Sequence, residues 1–453
     1  MFSYQGRLND RLTSTEPMLA VFAPKATVQR MLDVEAALAR ALAKAGVIPA
    51  EAVAPIEAAC DADRIDAQAL TEAAASAGNL AIPLVKQLTA CVSAQAPDAA
   101  KYVHWGATSQ DVIDSGLVLQ LRDALDGIEA GVDALCAVLA RQAAKYRDTP
   151  MVGRTWLQQA LPITLGLKLA QWLDALGRHR ERLAQLRERA LALQFGGAAG
   201  TLASLGDAAQ SVAQALAQAL SLPLPSLPWH TQRDRVAEAA TVLGLLTGTL
   251  GKIARDVSLH MQSEVGELAE PSSAGKGGSS TMPHKRNPVG CAAALTAAAR
   301  VPGLVATMLA AMVQEHERAL GGWQAEWETL PEIARLCAGA LANITDIVDG
   351  LDVDTARLSA NLNLTQGLIL GEAVMLALGA SIGRLRAHEL VEHAAREAVR
   401  SGRTLRQVLG ENPDVTQVLD EHRLDALLTP ANYSGQARAF VDIVLERYRA
   451  RCP

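Results

Sequence analysis

Between Gly277 and Pro288 the chain reads Gly-Gly-Ser-Ser-Thr-Met-Pro-His-Lys-Arg-Asn-Pro. Ser279 and Ser280 offer hydroxyls, His284 an imidazole, and Lys285 and Arg286 full positive charges. Asn287-Pro288 predicts a helix start, because Asn is a good N-cap and Pro at the first helical position gives up no hydrogen bond. The apolar run from Cys291 to Leu295 carries that helix onward. A helix N-terminus presents unpaired N–H groups and a partial positive charge, so it attracts anions. Gly275, Gly277 and Gly278 give the hydroxyls room to swing over a bound molecule. This is the chemistry of a lid that closes on a small polycarboxylate.

Two other segments carry similar groups. His104-Trp105-Gly106-Ala107-Thr108-Ser109-Gln110-Asp111 leads into an apolar pattern from Val112, and Thr108 to Asp111 has the spacing of a capping box. Gly153-Arg154-Thr155-Trp156-Leu157-Gln158 places a positive charge next to a second such spacing, Thr155 to Gln158, which again predicts a helix start.

The elements that must hold these groups are long helices. Ile113, Leu117, Leu121, Leu125, Ile128, Val132, Leu135 and Leu139 recur at three- and four-residue steps, and Val236 to Val265 repeats the pattern. Half of the 453 residues are hydrophobic but only 3% are aromatic, a composition that favours packed helices. No β-alternation of useful length is visible. Breaks in the pattern predict a helical domain over 1–106, a central long-helix bundle over 107–361 and a third helical domain over 362–453.

A net charge of −6 gives no nucleic-acid surface, so local cations must meet an anionic substrate. The six cysteines form no close pair, and no His/Cys spacing suits a metal, which predicts free thiols, no metal and no cofactor. Asn9, Asp10 and Arg11 interrupt any leader, and no uninterrupted apolar run reaches the ~18–20 residues of a membrane span. The expectation is a cytoplasmic protein with no membrane partner.

The lid resembles the signature loop of the fumarase/aspartase superfamily, roughly G-S-S-x-M-P-x-K-x-N-P, with every fixed position filled. The likeness covers nearly the whole chain. Arg30 to Pro49 is similar to the superfamily's first long helix, the Thr108 segment to its G-x-T-S-x-D region, and the Arg154 segment to its G-R-T-H-x-Q region. The resemblance implies an all-α fold of three domains and a homotetramer whose sites draw residues from three subunits. It implies that Ser279 exchanges a proton with the substrate α-carbon while Lys285 and Asn287 bind the adjacent carboxylate. Thr108 and Ser109 would bind another carboxylate, with His104, Arg154, Thr155, Gln158 and His284 completing the substrate shell.

One departure bears on the reaction. Trp156 stands where most of these lyases have a histidine that protonates the leaving group. Water and amines leave poorly unless protonated, whereas a carboxylate, with a pKa near ~4, leaves as the anion. Lactone formation from a muconate meets that condition, because the nucleophile is the substrate's own carboxylate. The stretches VGRTWLQ and GKGGSSTMPHKRNPVG are similar to the bacterial 3-carboxy-cis,cis-muconate cycloisomerase family. That resemblance implies formation of 4-carboxymuconolactone in aromatic catabolism, with Trp156 among the catalytic residues. The alternative is an adenylosuccinate lyase-like elimination, because Pro283 to Pro288 and Gln232 to Arg235 also occur there. A purely structural role predicts decay of Ser279, Lys285 or Asn287, and all three are intact.

Overall fold

The computed structural model describes residues 8–272, 277–278, 281–282 and 284–451. Among the described residues the chain is all-α, apart from one short hairpin and one two-residue strand pair. The periodic segments form helices: Pro24–Lys44, Ser109–Lys145, Asp234–His260 and, after the lid, Val289–Ala310. The Asp234 helix ends at His260, short of Val265, because the residues after His260 turn back and Glu267 N–H bonds the His260 carbonyl.

Contacts divide the chain into two compact units, and the divisions fall inside long helices. The first comprises Met1–Asp133, His179–Gly251 and Ala293–Asn343. Helix Pro24–Lys44 buries Met31, Leu32, Val34, Leu38 and Leu42, an apolar stripe at helical spacing. Each such fully buried side chain contributes about 1.5–3 kcal/mol. The second unit comprises Ala134–Arg178, Lys252–Ala292 and Ile344–Pro453. Its C-terminal helices enclose a separate core of Val374, Leu378, Ala387, Leu405, Leu409 and Leu424. Thr404 and Gln407 form a complete capping box there.

One expectation needs correction. The Arg154 segment is not a helix start: Pro150–Thr155 (β1) and Gln158–Thr164 (β2) pair as an antiparallel hairpin, with Thr155 opposite Gln158. Asp234–His260 and Val289–Ala310 are long and apolar enough, by length and composition, to cross a membrane. Single charges such as Lys252 and Arg300 break the uninterrupted runs without removing the mean hydropathy. Arg300 is paired with Glu332 at 2.5 Å.

Candidate active site

In the first unit the start of helix Ser109–Lys145 is fixed by Asp111, which is 1% exposed. One of its oxygens accepts from the N–H groups of Thr108 at 3.0 Å and Gly197 at 2.9 Å. The other accepts from Gly196 N–H at 2.9 Å and lies 2.8 Å from His230 Nε2. Asp111 therefore ties the loop at 196–197 to the helix start and has no lone pair directed at solvent. Only one half of the capping box read from the sequence forms: Asp111 accepts from Thr108 N–H, while Asp111 N–H donates to the Thr108 carbonyl and not to its hydroxyl. The hydroxyls of Thr108 and Ser109, half-buried, have no hydrogen-bond partner among the described residues. They remain free to bind a carboxylate at a helix N-terminus.

His104 adopts φ 59°, a conformation uncommon for a residue with a side chain. Its Nδ1 lies 2.5 Å from Oε1 of buried Glu35. Burial works against the imidazolium, but the charge and hydrogen bond of Glu35 outweigh it, so the pKa is raised. The ring is thus oriented through Nδ1.

One turn further along, Arg233 is 1% exposed between two carboxylates. It donates to Asp114 at 2.7 Å and to Glu326 at 3.0 Å, while Trp323 Nε1–H donates to Asp114 at 2.9 Å. Burial raises the Glu326 carboxyl despite Arg233. The Arg233 motif and Trp323 are thereby assigned to packing: they lock helices together.

In the second unit the hairpin carries Trp156 and Leu157 as its two loop residues. Their φ values are 52° and 66°, the positive values of a type I′ turn, which favours Asn-Gly. A Trp-Leu pair held there stores strain of the kind found at functional sites. Trp156 is 96% exposed and Leu157 81% exposed. Gly153 allows the bulge between Val152 and Arg154, since a Cβ on it would lie 2.9 Å from the Leu161 carbonyl oxygen.

Arg154 is a buckle for this hairpin. Both terminal nitrogens donate to Glu267, at 2.8 and 2.7 Å. Glu267 also lies 2.7 Å from His260 Nδ1 and accepts from Asn361 Nδ2 at 2.7 Å. Lys168 belongs to the same charged cluster, 3.8 Å from Asp256 and only 19% exposed. Burial lowers its pKa, with Lys252 and Arg154 adding repulsion. Sequence reasoning missed Glu267, His260, Asn361 and Lys168. The available signal was Lys168 itself, a charge set among Leu165, Leu167 and Leu169.

The lid is held at its base. Asn287 N–H donates to the Gly277 carbonyl at 2.8 Å, and Gly278 bridges to Arg286. Gly277 has φ 70°, and a Cβ on it would lie 2.5 Å from the Asn287 carbonyl oxygen. Arg286 is engaged by Asp352 at 3.0 Å and by the Glu270 carbonyl at 2.5 Å. Ser279, Ser280, Gly275 and Pro283 lie outside the described residues.

The helix start differs from the expectation. It begins at Val289, not Pro288, and Glu270 replaces Asn287 as the capping group. Glu270 accepts from the N–H groups of Gly290 at 3.1 Å and Cys291 at 2.6 Å. The protein's own carboxylate fills the anion site that the sequence suggested for substrate. Lys285, exposed, is left without an ion-pair partner among the described residues.

The hairpin and the lid base are thus both anchored to residues 260–270. Among the described residues no hydrogen bond or ion pair joins Trp156 or Gln158 to His284, Lys285 or Asn287. No group of three or more His, Cys, Asp or Glu that could hold a metal occurs among the described residues.

The buckle gives a pH expectation. Burial alone pushes the Glu267 carboxyl up, but hydrogen bonds from His260, Arg154 and Asn361 bring it from 4.5 to about 2. Burial holds His260 below 6.5 despite the Glu267 bond. In both cases the unfolded chain binds protons more readily, so stability declines as pH falls. For His260 the loss begins below about 6.5, and for Glu267 it runs from about 4.5 down through 2. The Glu267 contribution is fully present above pH 4.5. Denaturant midpoints measured from pH 7 downward should therefore fall, and Glu267→Gln should lower stability at pH 7 and flatten the segment below pH 4.5. An unchanged acid slope in that variant would exclude this account.

Comparisons with known proteins agree with one another. A family model described as Lyase matches residues 10–303, and one described as Adenylosuccinate lyase C-terminus matches 367–444. The chain is 59% identical over 444 residues to a Pseudomonas aeruginosa protein named 3-carboxy-cis,cis-muconate cycloisomerase, covering 98% of this chain and 97% of that one. The solved 3-carboxy-cis,cis-muconate lactonizing enzyme of Pseudomonas putida superposes with a TM-score of 0.94 at 55% identity, covering 98% of this chain and 99% of that one. The fumarate lyase of Mesorhizobium sp. BNC1 superposes with a TM-score of 0.89 at 40% identity, covering 98% and 99%.

Proposed function

We propose, for a chain that belongs to the lyase family of the fumarase/aspartase superfamily, that it converts 3-carboxy-cis,cis-muconate to 4-carboxymuconolactone. One substrate carboxylate attacks the ring-closing carbon, and the electron pair of the double bond moves onto a neighbouring carboxylate as an aci-carboxylate. Lys285 and Asn287 stabilise that dianion, and Ser279 delivers a proton to the α-carbon. Thr108, Ser109 and the oriented His104 hold the remaining carboxylates, with His284, Thr155 and Gln158 at the edges. Arg154 contributes through the hairpin it fixes.

Trp156 carries the reading. Its indole has no basic nitrogen, so it cannot act as the acid that an amine or water leaving group requires. The C-terminal match to adenylosuccinate lyase keeps an elimination in view, but Trp156 opposes it. Ultraviolet absorbance tests the choice, since ring closure removes the conjugated diene. Purified protein should bleach 3-carboxy-cis,cis-muconate and leave adenylosuccinate intact. Trp156→His should not be faster than the parent, and Trp156→Phe should lose about tenfold, as for one lost hydrogen bond. A several-fold faster Trp156→His variant, or robust adenylosuccinate cleavage by the parent, would overturn the proposal.

A homotetramer with shared sites fits the apolar surface of the single chain. Only 28% of the apolar window of helix Val289–Ala310 is buried, and Trp156, Leu157, Val313 and Leu320 are all more than 80% exposed. Apolar exposure on this scale is common on association surfaces. The expected divisions near 106 and 361 are kept in this proposal, with the separate C-terminal core supporting the second. Mixing Ser279→Ala with a Thr108→Val/Ser109→Ala double variant and exchanging subunits should restore partial activity. A monomer in solution, or no recovery after verified exchange, counts against shared sites.

A further inference from the structure

We propose, given the role assigned above to Trp156, that Gln159 and Asn361 are positioning residues that hold the tip of its hairpin from both strands. The backbone alone holds this tip weakly. Beyond the bulge between Val152 and Arg154, the described residues leave two cross-strand pairs, Arg154 with Gln159 and Thr155 with Gln158. Pro162, opposite Val152 on the other side of the bulge, has no N–H to give the ladder. A two-stranded hairpin is marginally stable by itself in water. Trp156 and Leu157 add strain, because positive φ disfavours both. Such backbone persists only where its surroundings over-determine it.

Side chains supply what the ladder lacks. Arg154 and Gln159 are cross-strand partners, so they share a face of the hairpin, and both reach one anchor. Arg154 donates twice to Glu267, and Gln159 Nε2 donates to the Asn361 carbonyl oxygen at 3.0 Å. Asn361, 4% exposed, closes the ring: its Nδ2 donates to Glu267 Oε1 at 2.7 Å and to the Val265 carbonyl at 2.9 Å. The loop of contacts thus runs from β1 through Glu267 and Asn361 to β2, directly beneath the Trp156–Leu157 turn. Its far side is firm. Helix Thr355–Asn363, which carries Asn361, is tied down by Arg357, which donates to the carbonyls of Val265 at 2.9 Å and Glu264 at 2.7 Å. Asp354 N–H adds a bond to the Glu267 carbonyl at 3.1 Å. All of these residues belong to the second unit.

Gln159 is the strap that can be cut most cleanly. It is half-buried, and its Oε1 is buried without a donor. Replacing it by methionine, of similar length, forfeits one bond and relieves one unmet acceptor. The Asn361 carbonyl keeps a bond from Leu364 N–H at 3.3 Å. The overall fold should therefore be little disturbed, while the turn above loses one of its two tethers.

A double-mutant cycle on kcat/KM for 3-carboxy-cis,cis-muconate, joined to hydrogen–deuterium exchange of the assembled protein, tests these roles. Gln159→Met should lower kcat/KM by about three- to tenfold, the weight of one hydrogen bond. It should also speed exchange several-fold between Gly153 and Leu161 and leave other segments unchanged. Trp156→Ala should itself cost at least about tenfold, since it removes both the indole N–H and the ring. In that background Gln159→Met should cost less than about twofold, because nothing is left to position. Asn361→Leu should act in the same direction and more strongly; should it fail to fold, Gln159→Met still decides. Equal losses from Gln159→Met in the two backgrounds would mean a merely structural role and overturn the proposal. Unchanged exchange between Gly153 and Leu161, or no loss of activity in Gln159→Met, overturns it as well. Trp156→Ala as active as the parent would refute the role of Trp156 and this proposal with it. A failure of the straps alone is told apart from that case, because Trp156→Ala then keeps its full cost.

Discussion

Ser279→Ala should lower turnover of 3-carboxy-cis,cis-muconate by about two to four orders of magnitude while KM changes little. The reason is the division of labour proposed for the lid. Binding rests on groups that meet carboxylates in the ground state, whereas Ser279 acts only when the α-carbon takes its proton. Proton transfer by a positioned group typically contributes about 10²–10⁴-fold. A serine hydroxyl releases its proton reluctantly, so it needs neighbouring positive charge to stabilise the alkoxide left behind. Lys285, six residues on, is the nearest cation of the lid without an ion-pair partner among the described residues. Steady-state kinetics on Ser279→Ala and Ser280→Ala decide the assignment. A severe Ser280→Ala with a mild Ser279→Ala would move the proton to the second serine.

The hairpin shows where sequence reading succeeds and where it fails. Thr155 and Gln158 are three residues apart, the spacing of an N-cap and its third helical residue. It is equally the spacing of the closing pair of a two-residue hairpin loop, and the structure takes the second option. Local spacing alone could not decide. The flanking residues could have, since Pro150 and Pro162 oppose a helix and Val152 and Ile163 favour strands. The helices Ser109–Lys145 and Asp234–His260 were legible because their periodic stripes run for many turns.

The buried charges were not legible, for a different reason. Glu267 meets Arg154 across 113 positions, and Glu270 caps a helix twenty residues later. A pairing of that kind leaves no periodic mark in the sequence around either partner. Its consequence for the site is large, because the cap on helix Val289–Ala310 decides which groups remain for the substrate. The motif at Gly277 to Pro288 marked the candidate segment, and only the fold shows that its helix terminus is already neutralised.

Lys285→Ala should therefore damage both binding and turnover, with kcat/KM falling by about two to three orders of magnitude. The expected reinforcement from the helix N-terminus is absent, since Glu270 accepts from both Gly290 and Cys291 N–H groups. Arg286 cannot substitute, because Asp352 and the Glu270 carbonyl hold it. In the proposed mechanism Lys285 is left as the principal charge of the described lid to meet the aci-carboxylate. At a separation of about 4 Å and an effective dielectric near 20, one unit charge against another is worth about 4 kcal/mol. The substrate already bears negative carboxylates, so part of that energy is realised on binding and raises KM when lost. The remainder is realised as the second charge develops on one carboxylate, and its loss lowers kcat. Lys285→Arg should recover part of the loss, because it keeps the charge while changing its shape and reach. The measurement is the kcat and KM of parent, Lys285→Ala and Lys285→Arg at fixed ionic strength. A Lys285→Ala loss below tenfold, or one confined to KM, would mean that another cation meets the transition-state charge, and Lys168 beside Arg154 would be the residue to test next.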